Sequence, residues 1–144
     1  MKRLTDDRIY ALKKVSLEPL SQKERQNALN EVRILASLTT HPCIIGYKEA
    51  FLVEEKFLCI VMDFAEDGDL FQKITEFKKT NSTFSEERVW RIAIGVVAGL
   101  KRLHELKVFH RDIKSANVFL TGDGNACLGD MNVSKVAKAG FLYT

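Results

Sequence analysis

Apolar residues along this chain change their spacing several times, and each change marks an element. Ile9 to Val15 carries β-branched and aromatic residues ahead of a polar linker containing Pro19, which predicts a strand. Ser21 with Glu24 three positions later forms a capping box, so a helix should start near Gln22. Ala28, Leu29, Val32, Leu35, Ala36 and Leu38 recur at helical spacing, and the helix should stop before His41-Pro42. Two apolar runs follow, Ile44 to Val53 and Phe57 to Phe64, with Glu54-Glu55-Lys56 as a hairpin turn between them. Ala65-Glu66-Asp67-Gly68 is a polar break, and Asp69 is placed to cap a short helix through Leu70, Phe71 and Ile74.

The second half has a different rhythm. Lys78 to Thr83 reads as a solvated loop, after which Ser85 caps a second long helix with Glu86 and Glu87 in its first turn. Val89, Ala93, Val96, Val97, Leu100 and Leu103 predict its buried stripe, widened by Trp90 and Ile92. Val118 to Leu120 and Ala126 to Leu128 are expected as short strands flanking Thr121-Gly122-Asp123-Gly124-Asn125, where Asp123-Gly124 is a hairpin signal. Strands with one helix, then mostly helix with a small hairpin, predict an α+β fold. Two lobes are expected, joined near residues 63–68, with a cleft between them.

Composition narrows this picture without changing it. The length of 144 residues suits one domain with a genuine core. The net charge of +3 comes from Lys and Arg interspersed with Asp and Glu, which gives no nucleic-acid signature. Cys43, Cys59 and Cys127 are odd in number and form no Cys-x-x-Cys pair, so a disulfide framework or zinc site is not expected. A reducing compartment, cytoplasmic or nuclear, is favoured. No apolar run approaches membrane-spanning length, and Met1-Lys2-Arg3-Leu4-Thr5-Asp6-Asp7 has no signal-peptide core.

The chemistry concentrates in His110-Arg111-Asp112-Ile113-Lys114-Ser115-Ala116-Asn117, followed by Gly129-Asp130. At about 5% per fixed residue, His-Arg-Asp-x-Lys-x-x-Asn arises by accident in such a chain with odds of roughly one in ten thousand or less. Asp112 offers a carboxylate to accept or orient a hydroxyl proton. Asn117 and Asp130 offer oxygen ligands for Mg2+, and Lys114 is placed to offset charge on a transferring phosphate. Singly, each also reads as a surface-loop cap, a turn residue or a solvated lysine.

These residues resemble the catalytic loop and metal-binding Asp of eukaryotic protein kinases, and the chain is most similar to the NIMA-related serine/threonine kinases. The resemblance implies a bilobal kinase-like fold, ATP and Mg2+ as cofactors, and a protein substrate phosphorylated on Ser or Thr. It implies catalytic roles for Asp112 and Lys114 and metal binding by Asn117 and Asp130. Tyr10-Ala11-Leu12-Lys13-Lys14-Val15 resembles the Val-Ala-Ile-Lys strand, making Lys13 the partner of the α- and β-phosphates. Asn30-Glu31-Val32-Arg33-Ile34-Leu35 resembles helix C, with Glu31 as ion-pair partner of Lys13. Because Lys13 stands beside Lys14, strand alternation must place one of the two inward.

Cys59 to Ala65 resembles the strand leading to the hinge, so Met62 would guard the back of the ATP pocket. Backbone groups of Asp63 to Ala65 would bond adenine. Ala11 would roof the adenine, Phe119 would floor it and Asp69 would meet the ribose. Plain core packing explains Met62 and Phe119 equally well. The usual Asp-Phe-Gly is here Asp130-Met131-Asn132, in which Met131 fills the apolar slot and Asn132 tolerates positive φ. Plant and protist NIMA-related kinases are similar here, and Leu35, His110 and Met131 would stack as an apolar column.

No Gly-x-Gly-x-x-Gly and no Ala-Pro-Glu occurs in the 144 residues. The expectation is a partial kinase domain: residues 1–62 as an N-lobe without its glycine-rich loop, 63–68 as hinge, and 69–144 as the start of the C-lobe. Little or no transfer is expected from such a polypeptide alone, together with an exposed hydrophobic patch on the second long helix. A non-catalytic kinase-like binding module or relic is the alternative of a different class; an aminoglycoside- or choline-type kinase is a further one. Nucleic acid and membrane are not expected as partners. Microtubule association and a cytoskeletal or nuclear setting follow from family resemblance only.

Overall fold

The computed structural model describes residues 1–38 and 40–130 and the backbone of Lys135–Val136. The chain forms two compact units, one of Met1–Thr40 with Gly46–Phe64, the other of His41–Ile45 with Ala65–Thr144.

The first unit is a three-stranded antiparallel sheet with one helix. Strands β1 (Tyr10–Ser16), β2 (Tyr47–Val53) and β3 (Phe57–Asp63) lie in the order β1-β3-β2. The central strand is the most apolar run, and Leu58 to Val61 are at most 3% exposed. A strand covered on both faces reads as such an uninterrupted run. The β2–β3 turn has Glu54 and Glu55 at φ 51° and 56°, the mirror-type turn whose twist suits a hairpin.

Helix α1 (Gln22–Ser37) starts where the capping box predicts: Ser21 Oγ accepts from the Glu24 N–H, and the Glu24 carboxylate accepts from the Ser21 N–H at 2.8 Å. It packs on β2. Of its expected stripe only Leu35 is buried; Ala28, Val32 and Leu38 are half-buried, whereas Leu29 and Ala36 are exposed.

The second unit holds α2 (Leu70–Lys79), α3 (Glu86–Glu105), β4 (Val108–Phe109), a 3-10 turn (Ser115–Asn117), β5 (Val118–Leu120), β6 (Ala126–Leu128) and β7 (Lys135–Val136). β5 pairs with β6, and β4 with β7, both antiparallel. Asp69 caps α2 by accepting the Gln72 N–H at 2.8 Å. The helix runs on to Lys79, past the loop expected from Lys78, because Lys78 and Lys79 complement its C-terminal carbonyls. The segment His41–Ile45, expected among the first 62 residues, belongs to this unit. It is tied to β6 by Ile45 N–H to Leu128 O at 2.8 Å and Leu128 N–H to Cys43 O at 2.9 Å.

The buried face of α3 keeps Ile92 and Leu103 of the expected stripe but differs in the rest. Ile92, Gly95, Gly99 and Leu103 are buried. Two glycines one turn apart let the helix lie directly on β6 and on the adjoining His41–Ile45 segment: a Cβ on Gly95 would sit 2.7 Å from Ala126 O, and one on Gly99 would sit 2.6 Å from Cys43 O. With the backbone this close, the flanking large side chains turn outward, and Val89, Trp90, Ile94 and Val97 are 51–65% exposed. An exposed apolar face is therefore present, made in part by residues expected in the core.

Candidate active site

The loop between β4 and β5 is assembled by short bonds among close sequence neighbours. β4 delivers His110 into the interior, where it is 1% exposed. Its Nε2 lies 2.9 Å from Gly129 O, and its Nδ1 accepts from the Asp112 N–H at 3.4 Å. With the Asp112 N–H directed at Nδ1, Nε2 is the ring nitrogen that faces the Gly129 carbonyl. Arg111, at φ 66°, takes the left-handed conformation that turns the chain between His110 and Asp112.

Asp112 is the hub. Its Oδ2 accepts from Lys114 Nζ at 2.7 Å and from Asn117 Nδ2 at 3.0 Å, and its backbone carbonyl accepts from the same Nδ2 at 2.8 Å. The 3-10 turn that carries Asn117 is closed by its N–H on Lys114 O at 2.9 Å. Asn117 C=O in turn accepts from the Gly129 N–H at 3.1 Å. Gly129 is thus bonded on both sides, to His110 and to Asn117, which fixes where Asp130 begins. A Cβ on Gly129 would lie 2.7 and 2.9 Å from two Phe119 ring carbons, so the position admits only glycine without displacing that ring. The signal for this steric role was present in the Gly129-Asp130 pair, but not its partner.

The Asn117 amide meets a test for a hard cation. Its nitrogen is committed to two oxygens of Asp112, so the orientation is fixed by the hydrogen bonds and Oδ1 faces away from them. An amide oxygen suits Mg2+, which takes one or two protein oxygens and fills its shell with water and phosphate. Among the described residues no group of three or more His, Cys, Asp and Glu side chains is placed to hold a metal ion.

The Lys114 ammonium holds the Asp112 carboxyl below the usual aspartate range, with Asn117 adding to the effect and partial burial opposing it. Its side chain remains 40% exposed. The result is a carboxylate that is ionised at neutral pH, fixed in direction and still reachable.

The remaining expected residues fall in two groups. Ala11 pairs with Met62, and Lys13 with Ile60, across β1 and β3, so these side chains share one face of the sheet. Lys13 is half-buried, whereas Lys14 is exposed on the opposite face with its Nζ 3.8 Å from the Phe57 ring centroid. Asp63 ends β3, and its carboxylate meets Lys48 Nζ at 2.7 Å. Sequence reasoning missed Lys48, for which Gly46 inside an apolar run was the only signal of a strand irregularity. In the second unit Ala65 is buried, Phe119 is half-buried beside Gly129, and Asp69 is the α2 cap. The Glu31 side chain, Met131 and Asn132 lie outside the described residues, so the ion pair, the apolar column and the Asn132 conformation are not described. Leu35 is buried in the first unit.

The protein-family model described as "Protein kinase domain" matches residues 1–143. Mouse serine/threonine-protein kinase Nek1 is 41% identical over 139 residues, 96% of this chain and 11% of that protein. Rice serine/threonine-protein kinase Nek3 is 37% identical over 128 residues, 88% of this chain and 21% of its own length. The probable serine/threonine-protein kinase nek2 of Dictyostelium discoideum is 33% identical, over 94% of this chain and 33% of its own length. The chain spans between 11% and 33% of these relatives.

Proposed function

The chain belongs to the protein kinase family, in its Nek-type serine/threonine branch, and from that premise we propose that its residues carry ATP-dependent phosphoryl transfer to Ser or Thr hydroxyls of proteins. The observation that carries this reading is the Asp112 carboxylate, clamped by Lys114 and Asn117 yet open to a substrate. In the transfer, the substrate oxygen bonds to the γ-phosphorus as the bond to the β,γ-bridging oxygen breaks, and the hydroxyl proton passes to Asp112. Lys114 offsets charge on the moving phosphoryl group. Asn117 and Asp130 are proposed to hold Mg2+, which when bound neutralises charge across the β- and γ-phosphates. Lys13 is assigned the α- and β-phosphates, with Glu31 orienting it. Ala11, Met62, Asp63, Ala65, Asp69 and Phe119 are assigned the nucleoside.

Nucleotide binding tests this reading directly. Saturating Mg-ATP should raise the melting temperature of the 144-residue chain, by roughly 2.7 kcal/mol of stabilisation at a hundredfold excess over Kd. The shift should vanish in Asp130→Ala. No shift in the wild-type chain would favour a non-catalytic kinase-like module. A cytoplasmic setting and association with microtubule structures are proposed on family grounds.

The direction of the Asp112 shift gives a pH prediction. A carboxyl whose folded pKa is depressed contributes stability above its unfolded pKa and loses it as pH falls through the folded value. Asp112 therefore stays ionised through the whole neutral range, and the transfer rate should show no Asp112 inflection between about pH 6 and 8. Lys114→Ala removes the main cause of the depression, so the acid limb should move to higher pH. A pH–rate profile in which that limb stays put would show that Lys114 does not set it.

A further inference from the structure

We infer that Lys48 is a positioning residue for the nucleotide base, acting through Asp63. The inference rests on the proposed assignment of Asp63 to the nucleoside, and takes its backbone carbonyl as the acceptor of the adenine amino group. Three observations converge on Asp63, all from the short segment Gly46-Tyr47-Lys48. In the β2–β3 ladder Tyr47 pairs with Met62 and Glu49 with Val61, so Lys48 is an extra, unpaired residue at a bulge. A bulge re-aims a side chain, and here the Lys48 ammonium lies 2.7 Å from Asp63 Oδ1. The Asp63 N–H donates to Gly46 O at 2.8 Å. A side chain at Gly46 would collide with the Asp63 carboxylate, so glycine there lets that carboxylate lie against the backbone that leads into β2.

These contacts hold the backbone N–H and the side chain of the residue that ends β3, and so restrain the direction of its carbonyl. A fixed acceptor has a consequence for base choice. Adenine presents an amino donor at its six position, whereas guanine presents a carbonyl oxygen there, and two acceptors facing each other repel. A stiff Asp63 carbonyl rejects guanine, while a loosened one can turn aside. Lys48 therefore contributes to the preference for ATP over GTP as well as to ATP affinity.

The test is isothermal titration of the 144-residue chain with Mg-ATP and with Mg-GTP. Lys48→Met should weaken Mg-ATP binding by about three- to fivefold, the reach of a part-exposed ion pair, and leave Mg-GTP unchanged or tighter. Lys48→Arg, which keeps charge and length, should restore both values. Asp63→Asn should reproduce Lys48→Met, and the double variant should be no worse than either single one, because both remove one interaction. Should Lys48→Met fail to fold, Lys48→Gln and Asp63→Asn carry the same comparison. Lys48→Met with wild-type affinities, or with equal weakening of both nucleotides, overturns the inference and leaves the kinase reading standing. A wild-type chain that binds neither nucleotide overturns both.

Discussion

Asparagine in place of Asp112 should lower phosphoryl transfer by about 100- to 10,000-fold, the range removed with a positioned general base, while Mg-ATP affinity changes little. The substitution is informative because it leaves the loop's geometry intact. An amide oxygen at the Oδ2 position can still accept from Lys114 Nζ and from Asn117 Nδ2, and the second bond from Asn117 goes to the backbone carbonyl, which is untouched. His110 still accepts the N–H of residue 112 and still meets Gly129 O. What disappears is the capacity to take a proton and the charge opposite Lys114. The loss should therefore appear in kcat, with KM for ATP and the melting temperature close to wild type. The measurement is radiolabel transfer from γ-labelled ATP by protein carrying these residues. A variant that keeps more than about a tenth of the wild-type rate would remove Asp112 from the role of base.

That loop was legible in the sequence because its geometry is local. Asp112, Lys114 and Asn117 lie within six consecutive positions, and one 3-10 turn suffices to bring their polar atoms together. The start of α1 was legible for the same reason, since a capping box is a contact between residues three apart. β5 and β6 match their expected limits because the intervening turn has its glycine where positive φ is needed, at Gly124 with φ 82°. Legibility ended where tertiary packing chose between local options. Periodicity treats large apolar residues as the buried face, but α3 buries a glycine seam and exposes Trp90 and Val97. The Lys48 bulge is a mismatch between two strands, and neither strand's own sequence states it. Gly129 was noticed for its place beside Asp130, whereas the ring that excludes any side chain there comes from Phe119, ten positions away and on another strand.

The glycine seam can be tested by filling it. Gly99→Val should destabilise the second unit by about 3 kcal/mol, the upper part of the usual range for overpacking a core. Two effects compete. Valine is a better helix former than glycine by a few tenths of a kcal/mol, which favours the variant. Against this, its Cβ would lie 2.6 Å from the carbonyl oxygen of Cys43 and 3.0 Å from Leu128 Cδ1. The first of these is a backbone atom, whose residue also accepts the Leu128 N–H, so relief requires the helix to lift or that hydrogen bond to break. The packing penalty is several times the propensity gain, and the sign is decided. Ala93→Val, at an exposed position on the same helix, adds the same branched side chain without the collision and should cost about 0.5 kcal/mol. Urea denaturation separates the two, as a difference in midpoint at constant slope. Gly99→Ala, with the Cβ alone, keeps the comparison measurable if the valine variant yields no folded protein. Equal midpoints for Gly99→Val and Ala93→Val would mean that α3 does not depend on the close approach to Cys43 and Leu128. Leu128 is followed directly by Gly129, whose carbonyl holds His110, so a lifted helix should also reduce stabilisation by Mg-ATP in the same samples.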